Sequence, residues 1–168
     1  MTAPHKESAK RKSVKELYYI THMDNISSIL ERGILCHELI RSKGIKYTQI
    51  YDEQIVSNRK ERKAPNGESL WDFANLYFQP RNPMLFRVIC EKSHEEIAIL
   101  AVQRDILNRQ DIYVSNGNAA SGYSEISPAS SSVIDVIARE IDKVWWTDLH
   151  GKRKIMAECL VPKEVPPE

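Results

Sequence analysis

A chain of 168 residues with 42% hydrophobic and 28% charged residues has the composition of one ordinary globular domain, long enough to bury roughly 70% of its unfolded surface. The sequence has no apolar run near the ~18 residues of a membrane-spanning helix. The basic start MTAPHKESAKRKSVKE lacks the apolar segment of a secretory signal. Three widely spaced cysteines (Cys36, Cys90, Cys159) make neither a CxxC nor a disulfide framework, so a soluble, cytoplasmic protein in a reducing compartment is expected.

Residues 1–15 read as a flexible basic arm, with 16–168 as the folded domain. Glu16–Thr21 (ELYYIT) has the β-branched and aromatic residues of a strand. Asp24 or Asn25 then caps a helix with Ile26, Ile29 and Leu30 on one face, and Gly33 stands where such a helix stops. Residues 36–56 are weakly patterned and fit a helical turn and loop. The run SNRKERKAPNGES (57–69), charged and holding Pro65 and Gly67, reads as an exposed loop. Leu70–Phe78 and Met84–Cys90 read as strands about a turn through Pro80 and Pro83, and Glu96–Val102 (EIAILAV) as a central strand. Asp111–Ser115 is a further short strand, and the small, polar stretch 116–132 a loop. Val133, Val136, Ile137 and Ile141 fall at helical spacing, and Lys154–Val161 (KIMAECLV) reads as a last strand. The class is α+β with strands outnumbering helices.

Charge is unevenly placed. Residues 1–63 carry 13 Lys+Arg against 8 Asp+Glu (+5), the remainder 11 against 15 (−4), within a net charge of +1. A solvated surface and a phosphate-binding face both fit this imbalance.

Several familiar sites are excluded. The six glycines form neither GxGxxG nor a P-loop, the five histidines never pair at i, i+4, and no GxSxG occurs. No Cys/His cluster has zinc spacing, so no metal site is expected. Glu158 is the most informative residue, a carboxylate interrupting an apolar strand and sharing a face with Met156 and Leu160. Either it is solvated on an edge strand, or a cleft holds it for chemistry. His22 ends the first strand just before a helix N-terminus, where a structural imidazole and an anion or ribose ligand are both reasonable. Tyr77 is a core ring or a stacking surface. Arg81, in the PRNPM turn, caps that turn or holds a phosphate.

In order along the chain, Tyr18–Cys36 (YYITHMDNISSILERGILC), the loop with Arg59, Leu70–Leu85 (LWDFANLYFQPRNPML), Ser115–Tyr123 (SNGNAASGY) and Ala157–Pro162 (AECLVP) resemble the DarT family of DNA ADP-ribosyltransferase toxins. The resemblance implies an ADP-ribosyltransferase-like α+β fold, two small antiparallel-rich sheets around an NAD cleft with peripheral helices. By position it implies Glu158 and Arg59 as catalytic residues, and His22, Asn25, Arg59 and Tyr77 around NAD. Asn118, Arg81 and Arg153 would face the DNA. NAD would be the co-substrate, with no metal. Single-stranded DNA and an antitoxin of the ADP-ribosyl-hydrolase kind would be the partners, for a monomer with no membrane contact. Members that modify thymine carry a His in the acceptor-side loop, whereas Asn118 and the Asn75–Phe78 run resemble the guanine-modifying branch. Family members continue into a final strand, whereas this chain runs ten residues past Glu158, so a short or trimmed member is expected. An RNA or protein acceptor, or an inactive binding relative, are the competing readings.

The chemistry agrees with the residue types. Cleavage of the nicotinamide–ribose bond builds positive charge on the sugar, as in glycoside hydrolysis, and a fixed carboxylate offsets it. An arginine suits the pyrophosphate.

Overall fold

The computed structural model describes residues 13–51, 53–142 and 148–167. Residues 1–12 of the expected arm lie outside this set, but Val14 belongs to the core rather than to an arm. In chain order the elements are β1 (Glu16–His22), α1 (Ile26–Arg32), β2 (Ile34–Leu35), α2 (His37–Ser42), α3 (Glu53–Glu61), β3 (Phe73–Tyr77) and α4 (Pro83–Glu91). Then follow β4 (Ile97–Gln103), β5 (Tyr113–Ser115), β6 (Ile126–Pro128), α5 (Ser131–Ile141), α6 (Leu149–Lys154), β7 (Glu158–Pro162) and β8 (Glu164–Val165).

Six strands form one antiparallel sheet in the order β4-β1-β3-β7-β5-β6, and β2 pairs with β8 in a second, two-stranded sheet. The α+β expectation holds, and the two antiparallel sheets have six and two strands. The large sheet is itself nearly divided. β1 pairs with β4 along its whole length but meets β3 at a single position, Tyr18 opposite Tyr77. Strands that share one bridge splay apart beyond it, and the gap becomes a cleft.

β7 is the spine of the larger half, between β3 and β5. Alternation puts Glu158 and Leu160 on one face, with Tyr77 and Ser115 directly opposite Glu158 on the neighbouring strands. Cys159 and Val161 face the other way and pack with Leu76, Val114 and Ile137 in the main core. Leu160 joins a smaller core with Leu70, Phe73 and Ala119. Glu158 is therefore on a central strand, and the edge-strand reading is excluded.

The structure corrects several expected elements. The charged run from 57 begins inside α3, whose Glu53 in the first turn and Arg59 and Lys60 in the last complement the helix dipole. The loop starts only after Glu61. Met84–Cys90 is helical: the Asn82 side chain accepts from the Leu85 N–H and Pro83 opens the helix. That spacing turns Met84, Leu85 and Val88 onto Ile20 and Ile97. β4, expected to be central, is an edge strand, and its alternating burial matches one covered face. The last strand starts at Glu158, because Asp148 caps a short helix over Leu149–Lys154 just before it. The stretch 116–132 contains β6. Neither Asp24 nor Asn25 caps α1 through its side chain; His22 instead caps the 3-10 turn Met23–Asn25. The residues beyond Glu158 include the further strand β8, which lies against Gly33. That glycine has φ 84°, and a Cβ there would sit 2.2 Å from the Val165 carbonyl oxygen, so only glycine fits.

Candidate active site

The gap between β1 and β3 opens into a cavity of about 650 Å³, whose lining includes Thr21, Asn25, Arg59, Tyr77, Asn118 and Glu158. Glu158 is 1% exposed and Arg59 7% exposed. Burial of an unpaired carboxylate is costly, and here it is offset from two sides. Arg59 Nη1 donates to Oε2 at 3.0 Å and to Oε1 at 3.3 Å. The Ala119 backbone N–H donates to Oε1 at 2.9 Å. The backbone beneath is fixed as well: Glu158 N–H donates to Ser115 Oγ, whose own hydroxyl donates to the Gly117 carbonyl at 2.6 Å. A carboxylate is thus held rigidly between a helix (Arg59), a loop (Ala119) and a central strand.

Arg59 keeps two further donors. Its Nε and Nη2 are buried and have no hydrogen-bond partner among the described residues. A buried guanidinium with donors to spare, lining a cavity, is suited to an anionic or oxygen-rich ligand. Burial, and then the Glu158 charge, push the Tyr77 phenol above its ordinary range, so it is neutral at neutral pH. Tyr19, also on the cavity wall, is pushed up to about 12 by burial and by Tyr47.

Asn25 works as a brace. Its side chain donates to Thr21 Oγ1 and to the Thr48 carbonyl, and accepts from the Thr48 N–H at 2.8 Å, tying β1 to the segment 45–50. Asn118 lines the cavity while its Oδ1 accepts from the Ala120 N–H at 2.9 Å, the turn geometry favoured by asparagine. Arg153 lines the same cavity and donates to the Tyr123 carbonyl at 2.8 Å.

Two candidates stand apart from this group. His22 is buried but is not on the cavity wall; its Nδ1 accepts from the Asp24 N–H at 3.1 Å. Arg81 is exposed and also off the wall, and the buried member of its turn is Asn82, whose side chain donates to the Gln79 carbonyl. Conversely, sequence reasoning passed over His37 at the first position of α2. It lines the cavity, packs against Tyr51 and Trp71, and is lowered to about 4 by burial and then by the Arg59 charge. Nothing in its sequence neighbourhood marks it. Arg62, three residues beyond Arg59, turns away to the Ser124 carbonyl at 2.7 Å. Among the described residues no cluster of His, Cys, Asp or Glu could hold a metal, and no helix is long and apolar enough to cross a membrane.

The fold is that of solved ADP-ribosyltransferase structures of the DarT kind. Thermosipho africanus DarTG in complex with ADP-ribose superposes with a TM-score of 0.86 at 47% identity, over 91% of this chain and 42% of that one. Thermus sp. 2.9 DarT in complex with ADP-ribosylated ssDNA superposes at 0.78 and 22% identity, over 93% and 80%. Residues 18–168 match the family described as DarT, ssDNA thymidine ADP-ribosyltransferase, and the chain belongs to that family. A curated relative, a DNA ADP-ribosyl transferase–DNA ADP-ribosyl glycohydrolase fusion protein of Thermosipho africanus, is 47% identical over 156 residues, 91% of this chain and 40% of its own length. The chain spans less than half the length of the curated relatives it matches.

Proposed function

We propose that this domain transfers ADP-ribose from NAD to a base of single-stranded DNA, and that the base is guanine. The observation that carries the reading is the Arg59–Glu158 pair: two buried charges facing a cavity, with the arginine's remaining donors unpartnered. NAD fits this donor set, since those donors suit its pyrophosphate or ribose oxygens, and the volume lies within the usual ligand range. When bound, NAD supplies the ADP-ribose group and a nicotinamide leaving group.

The chain's own residues then have distinct tasks. Glu158 offsets the positive charge that grows on the sugar as the bond to nicotinamide lengthens. Its position is preset by Arg59 and the Ala119 N–H, so no reorganisation is needed at that moment. It is also the carboxylate within reach to accept the proton that the attacking base gives up. Arg59 steadies the carboxylate through Nη1 and offers Nε and Nη2 to the substrate's oxygens. Tyr77, neutral and beside Glu158 on the next strand, supplies an apolar ring at the cleft wall. His22 acts on NAD through the turn it caps, by holding Asp24 and Asn25 in place.

Asn118 supports guanine. With Oδ1 engaged by Ala120, its amide faces the cleft chiefly as an NH2 donor. Guanine presents two adjacent acceptors, O6 and N7, whereas thymine presents O4 beside a methyl group. The fusion of the Thermosipho relative to a DNA ADP-ribosyl glycohydrolase supports pairing with a hydrolase that removes the mark, as a toxin with its antitoxin. Labelled NAD incubated with single-stranded oligonucleotides of restricted base content, and with RNA and protein pools, tests both levels. Label is expected on guanine-containing DNA, with binding that weakens as salt rises. Label on oligo-dT alone would move the acceptor to thymine, and label confined to RNA or protein would remove DNA from the reading.

A further inference from the structure

Two of the most exposed large apolar side chains stand at the mouth of this same cavity. Tyr123, in the loop between β5 and β6, is 87% exposed, and Leu149, at the start of α6, is 84% exposed. Isolated exposed apolar residues are ordinary. This pair differs because the two come from separate elements yet line one opening, and because the backbone under the ring is firmly held. The Tyr123 carbonyl accepts from Arg153, its N–H donates to Ser121 Oγ, and the next carbonyl, of Ser124, accepts from Arg62. Two arginines, one in α6 and one just past the end of α3, therefore fasten a loop whose one large side chain points to solvent. The same opening carries the exposed Lys152 and the half-buried Arg153. An aromatic face on a rigid support, an aliphatic side chain and cations at one rim match the recurring needs of single-stranded nucleic acid: a surface for a base to stack on and a counter-charge for its phosphate.

We propose that Tyr123 and Leu149 hold the base of the nucleotide adjoining the one that receives ADP-ribose, with Lys152 on the intervening phosphate. The proposal rests on the single-stranded DNA reading above and adds where the strand is gripped. Stacking is tolerant of base identity, since every base has a flat face, so the grip fixes the position of the strand and leaves the choice of target base to the cleft. A purine in that place stacks over a larger area than a pyrimidine and is preferred.

The test is the KM for a single-stranded oligonucleotide, together with the Kd for NAD measured without DNA. Tyr123→Ala is expected to raise the DNA KM by about 10-fold or more, the scale of one lost base–aromatic stack. Tyr123→Phe is expected to stay near the parent, because the ring and not the hydroxyl is used. Leu149→Ala gives a smaller rise in the same direction. An oligonucleotide abasic beside the target is expected to raise the parent's KM to the level of Tyr123→Ala, with no additional loss in the variant. A parent-like DNA KM for Tyr123→Ala overturns the proposal, as does a Phe variant as weak as the Ala one. A raised Kd for NAD with unchanged DNA KM also overturns it, by giving the ring to the dinucleotide. If the parent binds NAD but transfers nothing to any DNA, the acceptor reading itself fails and this proposal with it.

Discussion

Neutralising Glu158 and Arg59 singly and together separates what the pair does for the fold from what it does for chemistry. Glu158→Gln keeps the shape and still accepts from the Ala119 N–H, but it leaves a guanidinium that is 7% exposed without a counter-charge, beside two donors that already lack partners. Breaking a buried pair by removing one partner costs about 3–5 kcal/mol, and the lower end applies where a cavity lets water reach the remaining charge. Arg59→Met strands the carboxylate, which then has only the Ala119 N–H, and a cost of about 3 kcal/mol or more follows. Arg59→Met with Glu158→Gln removes both charges and leaves no orphan, so its stability returns to within about 1–2 kcal/mol of the parent. The two single effects thus fail to add by about 3 kcal/mol or more. Urea unfolding of the four proteins measures this directly, and a domain stable by roughly 5–15 kcal/mol still folds with either single change. Transfer of label from NAD behaves differently, and all three variants lose about 10²-fold or more: Glu158→Gln and the double variant lack the carboxylate that offsets charge on the sugar, and Arg59→Met lacks the guanidinium that fixes that carboxylate and meets the substrate. Single costs that add to the double within about 0.5 kcal/mol would show that water, and not each other, solvates these two groups. Recovery of transfer in the double variant would refute the assigned chemistry.

A methyl group at Gly117 would meet Arg153 Cγ, the Arg153 carbonyl oxygen and Ser124 Oγ at 2.8 Å each. Gly117→Ala is therefore expected to cost about 1–3 kcal/mol and to cut transfer by lifting the Ala119 N–H from Glu158; parent-like melting and transfer would refute this. His37 is neutral in the folded state down to about 4, whereas the unfolded chain takes up the proton near 6.5. The unfolded state then binds more protons between those values, so stability falls as pH drops through that window, by about 2 kcal/mol at pH 5. His37→Gln is expected to reduce the difference in melting temperature between pH 7 and pH 5, and an unchanged difference would show that other groups cause it.

Legibility in the sequence followed the range of the interactions involved. β1 and α5 were readable because their patterns are local and periodic, and Glu158 stood out because a carboxylate in an apolar strand is a local contradiction. The helix α4 was missed although its signal was present: Asn82 and Pro83 are a capping residue and a first-turn proline, outweighed by the strand-like composition of Met84–Cys90. The end of α3 was hidden for another reason. It has no apolar stripe there, and Arg59 is buried by an ion pair to a residue 99 positions away. Separation along the chain also hid His37 and the Ala119 N–H, whose roles exist only once α2, α3, the loop 116–125 and β7 meet. The identity of β4 as an edge strand was not readable either, since the continuous apolar run Ile97–Val102 fits an interior strand equally well.

The order in which the strands are joined has a consequence for how the protein is made. β7 lies in the middle of the larger half of the sheet but follows every other strand of that sheet in sequence, so β3 on one side and β5 with β6 on the other have no common neighbour until residues 158–162 leave the ribosome. Until then the strands that flank β7 have unpaired edges, and the ion pair between Arg59 and Glu158 that completes the site joins residues 99 positions apart. The five residues of β7 thus hold both the centre of the sheet and the Glu158 carboxylate, so a change that displaces this strand alters shape and site together.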